Sequence, residues 1–238
     1  KNPMAGIEAF EQAFSSSPDA DRPLLVIKTV HGAARPRDLL ILQNLARHRE
    51  NVRIIDQRFE SSEMAALMER ADCYVSLHRS EALGRALMES MLRGKPCVAT
   101  GYSGNLQFMD ATNSFLCPHR MVAITKASYP HPVGTLWADP DSAEAARQMR
   151  KVHDDPSQAA AKGAQGRNTV REHFSLEATA RVINQHLAEI GDRSSQVMGK
   201  DLPVATKKEL AFKLLKRDVK KEKTGNFSPS GLFRLDFP

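Results

Sequence analysis

The chain has 238 residues, 41% of them hydrophobic and 26% charged, with a net charge of +6, a composition that suits one large globular domain with appendages. It holds no apolar run of the eighteen or so residues a membrane-spanning helix needs, and the N-terminal residues lack the pattern of a signal peptide. The positive charge is local: Lys207 to Lys223 carries eight Lys/Arg against three Asp/Glu, leaving the remainder near +1, which argues against a nucleic-acid-binding core.

Cys73, Cys97 and Cys117 are odd in number and widely spaced, and Cys73 and Cys97 sit in the apolar runs CYVSL and PCVAT. Buried thiols are expected, not a disulfide framework. The eight histidines show no metal-ligand spacing, and no metal is expected.

In chain order, residues 2–14 place Pro3 in a first turn and Met4, Ile7, Phe10 and Phe14 at helical spacing. LLVIK (24–28) reads as a buried strand, 36–49 as a helix and NVRII (51–55) as a strand. Residues 61–71 read as a helix with a serine N-cap, CYVSL (73–77) as a strand, 86–93 as a helix and PCVAT (96–100) as a strand. Residues 114–138 are less regular, with SFLC, MVAIT and TLWA as short strands around YPHPVG. Helices are expected over 139–154, 156–174 and 175–190, the last capped by Ser175; the pattern loosens after Gly191. Strands alternating with helices over short loops imply an α/β fold with a doubly wound parallel sheet, Rossmann-like. Such a sheet usually begins with a strand that becomes central, and here a helix comes first. The expectation is therefore the end of a longer protein, cut after its first strand.

The stretch SEALGRALMESMLRGKPCVATGYSGN (80–105) carries the chemistry. In open parallel sheets, ligands bind beyond the carboxyl ends of the strands. Residues 78–84 form such a loop, followed by a helix whose free N–H groups suit a diphosphate. Gly84 allows close approach to the backbone. Glu89 lies roughly 7.5 Å further along the helix axis, while Glu81 precedes the helix. One carboxylate can hold hydroxyls on each side of a diphosphate, a fit for a sugar–diphosphate–ribose–base ligand. By itself the pair is also what a helix start favours through its dipole. His78 ends a strand at the pocket edge, either a polar pocket contact or a capping residue, and Lys28 ends one at the same side, either a phosphate or sugar contact or a solvated strand end. Ser103-Gly104-Asn105 forms a turn that is either a sugar contact or a helix cap.

This stretch resembles the nucleotide-sugar-binding segment of GT-B glycosyltransferases of the retaining family-4 type (group 1), with their Glu-x7-Glu motif. Lys1-Asn2-Pro3, IEAFEQAF, LLVIKT, ADCYVSLHRSE and WADPD extend the similarity over about residues 1–190. The resemblance implies the C-terminal, donor-binding half of such an enzyme, without its N-terminal acceptor domain and inactive by itself. It implies Glu81 as the catalytic carboxylate beside the reacting carbon of the sugar and Glu89 as the ribose ligand. It further implies Leu83, Gly84 and Arg85 at the diphosphate, with Lys1 neutralising the leaving group. The Asp56-Gln57-Arg58-Phe59 loop would lie at the base, and no metal or other cofactor would be needed. Two departures stand out: Ala82-Leu83 replaces the common Gly-Phe, and Arg85 replaces a usual Leu.

The expected activity is transfer of a hexosyl group from a nucleotide-diphosphate sugar to a glycan or lipid-linked acceptor, in a setting such as polysaccharide biosynthesis. The alternatives are a nucleotide-sugar-binding domain without turnover and a GT-B type sugar-nucleotide epimerase. The expected organisation is a nucleotide-sugar-binding domain over 1–190 and a linker with a basic amphipathic tail over 191–238. The protein is expected to be cytoplasmic. Its stretch 207–223 would either touch the inner face of the membrane or stay solvated, and no nucleic-acid partner is expected.

Overall fold

The structure is a computed structural model that describes residues 2–18, 22–125 and 134–198. Residues 1–179 form one compact unit, and a second begins at Ala180. The expected basic stretch 207–223 lies outside the described residues.

Helix α1 (Pro3–Phe14) starts with proline at a position where no intrahelical N–H is needed, and buries Ile7, Phe10 and Phe14 along one face. Strand β1 (Leu25–Thr29) runs parallel to β2 (Val52–Asp56), with Leu25 opposite Val52 and Thr29 opposite Asp56. Helix α2 (Pro36–Arg47) connects them and buries little beyond Leu42. Helix α3 (Ser61–Arg70) is capped by Glu60, not by a serine. The Glu60 N–H donates to the Glu63 carboxylate at 2.7 Å, a reciprocal device that leaves both serines inside the helix.

Strands β3 (Tyr74–Ser76), β4 (Cys97–Thr100) and β5 (Phe115–Cys117) form a second parallel sheet, with α4 (Arg85–Leu92) joining β3 to β4. The α/β class and parallel pairing are as expected. Among the described residues the parallel strands form two ladders, β1–β2 and β3–β4–β5. Side chains, not strand hydrogen bonds, join them. One apolar cluster combines Ile7, Phe10 and Phe14 of α1 with Val52 of β2, Val98 of β4 and Phe115 of β5.

Period-two alternation assigns the two faces of the second sheet. Val98 points into that first cluster, whereas its neighbours Cys97 and Ala99 join Leu87, Met91, Phe108, Met109 and Val170 on the other face. Both faces are covered, as in a doubly wound fold.

After β5 the chain departs from strand–helix alternation. Strands β6 (His119–Ala123) and β7 (Leu136–Pro140) form an antiparallel hairpin, with Arg120 opposite Asp139. Asp139 and Pro140, expected in a helix, are strand residues instead. The helix α5 (Ser142–Asp154) starts later because Asp141 caps it, accepting from the Glu144 N–H at 2.9 Å. Helix α6 (Pro156–Phe174) is capped in the same way by Asp155.

Gly163 and Gly166 have a packing reason. A Cβ at 163 would lie 3.2 Å from the Pro96 nitrogen, and one at 166 would lie 2.8 Å from the Met91 methyl. Their absence of side chains lets α6 lie close against α4 and the turn after it. Helix α7 (Leu176–Met198) opens with the Ser175 hydroxyl accepting from the Ala178 N–H at 3.1 Å, as expected, and it runs past Gly191 to Met198. Among the described residues no helix is long and apolar enough to cross a membrane.

Candidate donor-binding site

The glutamate stretch folds into a loop, a left-handed glycine and a helix. Gly84 caps α4 at φ 85°, ψ 44°, a conformation that side chains disfavour. A Cβ there would meet Leu87, Asn105 and Phe108 at 3.3–3.4 Å. The turn ends the β3 loop and opens the first N–H groups of α4, which no intrahelical carbonyl can reach. Leu83 beside it is 42% exposed.

Glu81 is held through its backbone. Its carbonyl accepts from Ser103 Oγ at 2.7 Å and from the Gly104 N–H at 2.9 Å, and its N–H donates to Ser103 Oγ at 3.4 Å. The close approach requires glycine at 104, because a Cβ would lie 2.5 Å from the Ala82 carbonyl carbon. Ser103 itself adopts φ 81°, an unusual state for a non-glycine residue that these contacts hold in place. The Ser103-Gly104-Asn105 turn is thus zipped to the Glu81 loop.

Glu89 sits on the second turn of α4, half-buried, and its carboxylate meets Arg85 Nε at 3.4 Å. The Arg85 side chain is 85% exposed. The two carboxylates share a neighbourhood around Tyr74. Burial, first, and then the nearby Cys97, Glu81 and Glu89 push the Tyr74 phenol up to about 12.

Of its two readings, His78 takes the geometry of a capping residue. Its ring is 1% exposed, Nδ1 lies 3.0 Å from the Ser76 hydroxyl, and Nε2 lies 3.0 Å from the Tyr102 carbonyl and 3.1 Å from Asn105 Oδ1. Both oxygens facing Nε2 are acceptors only, so that nitrogen carries a proton. Asn105 in turn donates to the Thr100 carbonyl at 3.1 Å, and the Thr100 hydroxyl donates to the His78 carbonyl at 2.7 Å. With both ring nitrogens engaged, His78 fastens the ends of β3 and β4 together and presents no free nitrogen to a ligand. The sequence does not single out Thr100, Tyr102 or the side chain of Asn105 as partners; only the polar residues beside Gly101 and Gly104 hint at them.

Lys1 lies outside the described residues. At the carboxyl ends of β1 and β2, Lys28 donates to the Thr29 carbonyl at 2.8 Å and to the Gln57 carbonyl, with its ammonium 4.6 Å from the Phe59 ring centroid. Lys28 therefore braces the Asp56–Phe59 loop. Asp56 accepts from the Gly32 N–H at 3.1 Å. A cleft of about 370 Å³ lined by Ala46, Arg47, Val52 and Arg53 lies at the opposite end of β2 and is separate from these loops. Among the described residues no three His, Cys, Asp or Glu side chains gather as metal ligands would.

The family model described as "Glycosyl transferases group 1" matches residues 5–128, more than half of the chain. The chain belongs to the group 1 glycosyl transferases.

No curated protein matches this group 1 glycosyl transferase chain. Among solved structures it is similar to Anabaena HepE in complex with UDP-glucose, at 18% identity and a TM-score of 0.56, over 79% of this chain and 46% of that one. It is similar to the sucrose-phosphate synthase of Thermosynechococcus elongatus, at 20% identity and a TM-score of 0.57, over 79% of this chain and 43% of that one. It is also similar to the C-terminal domain of a Francisella tularensis group 1 glycosyl transferase, LpcC, at 16% identity and a TM-score of 0.55, over 74% of this chain and 80% of that one. The chain thus spans a little under half the length of HepE and of the synthase, and its α/β fold is that of GT-B C-terminal domains.

Proposed function

We propose that this chain is the donor-binding part of a retaining glycosyltransferase, moving a hexosyl group from a nucleotide-diphosphate sugar to a glycan or lipid-linked acceptor held by an N-terminal domain. The observation that carries the reading is the arrangement around Gly84: a left-handed turn at the start of α4, with Glu81 pinned before it and Glu89 on the second turn. The diphosphate would lie at the α4 N-terminus, where Leu83, Gly84 and Arg85 lend backbone amides and the helix end favours negative charge. Charge grows on the diphosphate as the anomeric C–O bond breaks, and those fixed dipoles are in place to receive it. Lys1 would add to this. Glu81 would stand by the anomeric carbon, where positive charge develops, and Glu89 would accept from the ribose hydroxyls. Arg85, bound to Glu89, would orient that carboxylate and face the phosphates.

Support also comes from HepE, which carries UDP-glucose in its complex. We place the domain over 1–190 and a linker with the basic tail over 191–238, in a cytoplasmic protein whose stretch 207–223 would either touch the inner face of the membrane or stay solvated. Calorimetric titration of the chain with UDP, GDP and ADP, then of Glu89→Ala, tests the reading. Saturable binding of one nucleotide, weakened about tenfold or more by the substitution, is expected, since a hydrogen bond to a charged group contributes about 1.5–3 kcal/mol. Absence of binding from a folded protein would reduce the stretch to a capped helix. An epimerase would interconvert the donor sugar without any acceptor, a product analysis that separates the two.

A further inference from the structure

The β6–β7 hairpin grips both loops that meet at Glu81. Arg79, two residues before Glu81, is held by three consecutive residues of β7. Its carbonyl accepts from the Ala138 N–H at 3.0 Å. Its guanidinium lies 4.7 Å from the Trp137 ring centroid, a stacking distance. Its Nη2 lies 3.2 Å from Asp139 Oδ1.

Trp137 and Asp139 are two apart on the strand and so share a face. The second oxygen of Asp139 holds Arg120, its partner across the hairpin, at 3.1 Å. At the other strand of the hairpin, the His119 ring lies 4.9 Å from that of Tyr102. Tyr102 opens the turn whose Ser103 and Gly104 fasten Glu81.

Arg79 is half-buried, its side chain 33% exposed. Its Nε is buried and finds no hydrogen-bond partner among the described residues. A guanidinium already short of one partner depends on the carboxylate and ring that remain. Neither aromatic stacking nor a planar fork is reproduced by lysine.

We infer that Trp137 and Asp139 clamp Arg79 and thereby set the position of the Glu81 loop, making Arg79, Trp137 and Asp139 positioning residues. The consequence for the sugar rests on the donor-site reading above; the clamp itself does not.

The test has two arms, both on the full chain. Without ligand, amide hydrogen exchange at Gly104 reports whether its bond to the Glu81 carbonyl persists. Acrylamide quenching of Trp137, the one tryptophan of the sequence, reports its cover. Arg79→Met, Asp139→Asn and Arg79→Lys are each expected to speed Gly104 exchange and to raise quenching, with exchange in the α1 core unchanged. Unchanged Gly104 exchange in all three would overturn the clamp. Should one of them fail to fold, Trp137→Phe, which keeps an aromatic face, should show faster Gly104 exchange by a smaller factor.

With ligand, UDP-glucose, GDP-mannose and ADP-glucose are compared with their bare nucleotides. The variants are expected to lose about tenfold toward the sugar nucleotide and little toward the nucleotide, because Glu81 faces the sugar. Equal losses toward both would overturn the positioning of Glu81. A wild-type chain that binds none of the six would sink the donor reading, and Gly104 exchange would still decide the clamp.

Discussion

The Gly104 N–H lies 2.9 Å from the Glu81 carbonyl, joining two loops that are separated by a helix and a strand. With the two Ser103 contacts, it fastens the backbone of the candidate catalytic Glu81. Gly104→Ala would drive a Cβ into the Ala82 carbonyl, where the obstacle is backbone and cannot swing aside. The expected outcome is a loss of about 1–3 kcal/mol in urea unfolding, the cost of overpacking. Sugar-nucleotide affinity should fall about tenfold or more in a calorimeter.

Arg85 and Glu89 form an exposed i, i+4 pair at 3.4 Å. Such pairs contribute about 0.3–0.5 kcal/mol at most to stability, so Arg85→Ala should leave the melting temperature nearly unchanged. If Arg85 faces the phosphates, the same variant weakens nucleoside diphosphate binding while leaving the corresponding nucleoside unaffected. A parallel loss toward the nucleoside would show instead that Arg85 acts only by orienting Glu89.

Two helical glycines should respond in opposite directions. Gly6, in α1, has nothing within 4 Å of the point where a Cβ would stand, so Gly6→Ala is expected to stabilise by about 0.5–1 kcal/mol through helix propensity. Gly163, in α6, faces the Gly94 and Pro96 backbone. Gly163→Ala should destabilise by about 1–3 kcal/mol, the cost of overpacking. Paired urea denaturation curves check both signs.

Burial pushes the Cys117 thiol up to about 12 and the Cys97 thiol well above its ordinary value, and Tyr74 rises to about 12. Each is an acid that keeps its proton longer in the folded state than in the unfolded one. Their stabilising effect is complete below the unfolded values near 9–10 and is lost as pH climbs toward the folded ones. Urea stability should therefore fall progressively above pH 9. Iodoacetamide at pH 8.5 or so should spare Cys97 and Cys117 until denaturant is added, since the thiolate is the reactive form.

His78→Ala should cost about 1–3 kcal/mol by leaving Ser76, the Tyr102 carbonyl and Asn105 with lost partners in a buried setting. A melting curve measures it. His78→Gln, which keeps a donor and an acceptor, should recover part of the loss.

The amino-acid sequence by itself determined the features that depend on neighbours along the chain. Alternating apolar strands and helical spacing announce the α/β class, and Pro3, Gly84 and Ser175 mark their helix starts. Glu81 and Glu89 are legible because their meaning rests on a helix start only a few residues away. Local patterning is less able to place α3, whose cap is a glutamate pair, or the end of α7, which passes through Gly191.

Tertiary structure alone decided what joins distant residues. His78 reads from sequence as a strand end that either meets a ligand or caps; contacts 24 and 27 positions away make it a buried fastener. Arg79 gives no sign of its partner Asp139, 60 positions on, and the DPD of WADPD reads as a helix start, whereas pairing with β6 makes its first two residues strand. The reason is physical: propensity and periodicity act over one or two turns. Ring stacking, buried hydrogen bonds and close glycine contacts depend instead on which surfaces the folded chain brings within a few ångströms of one another.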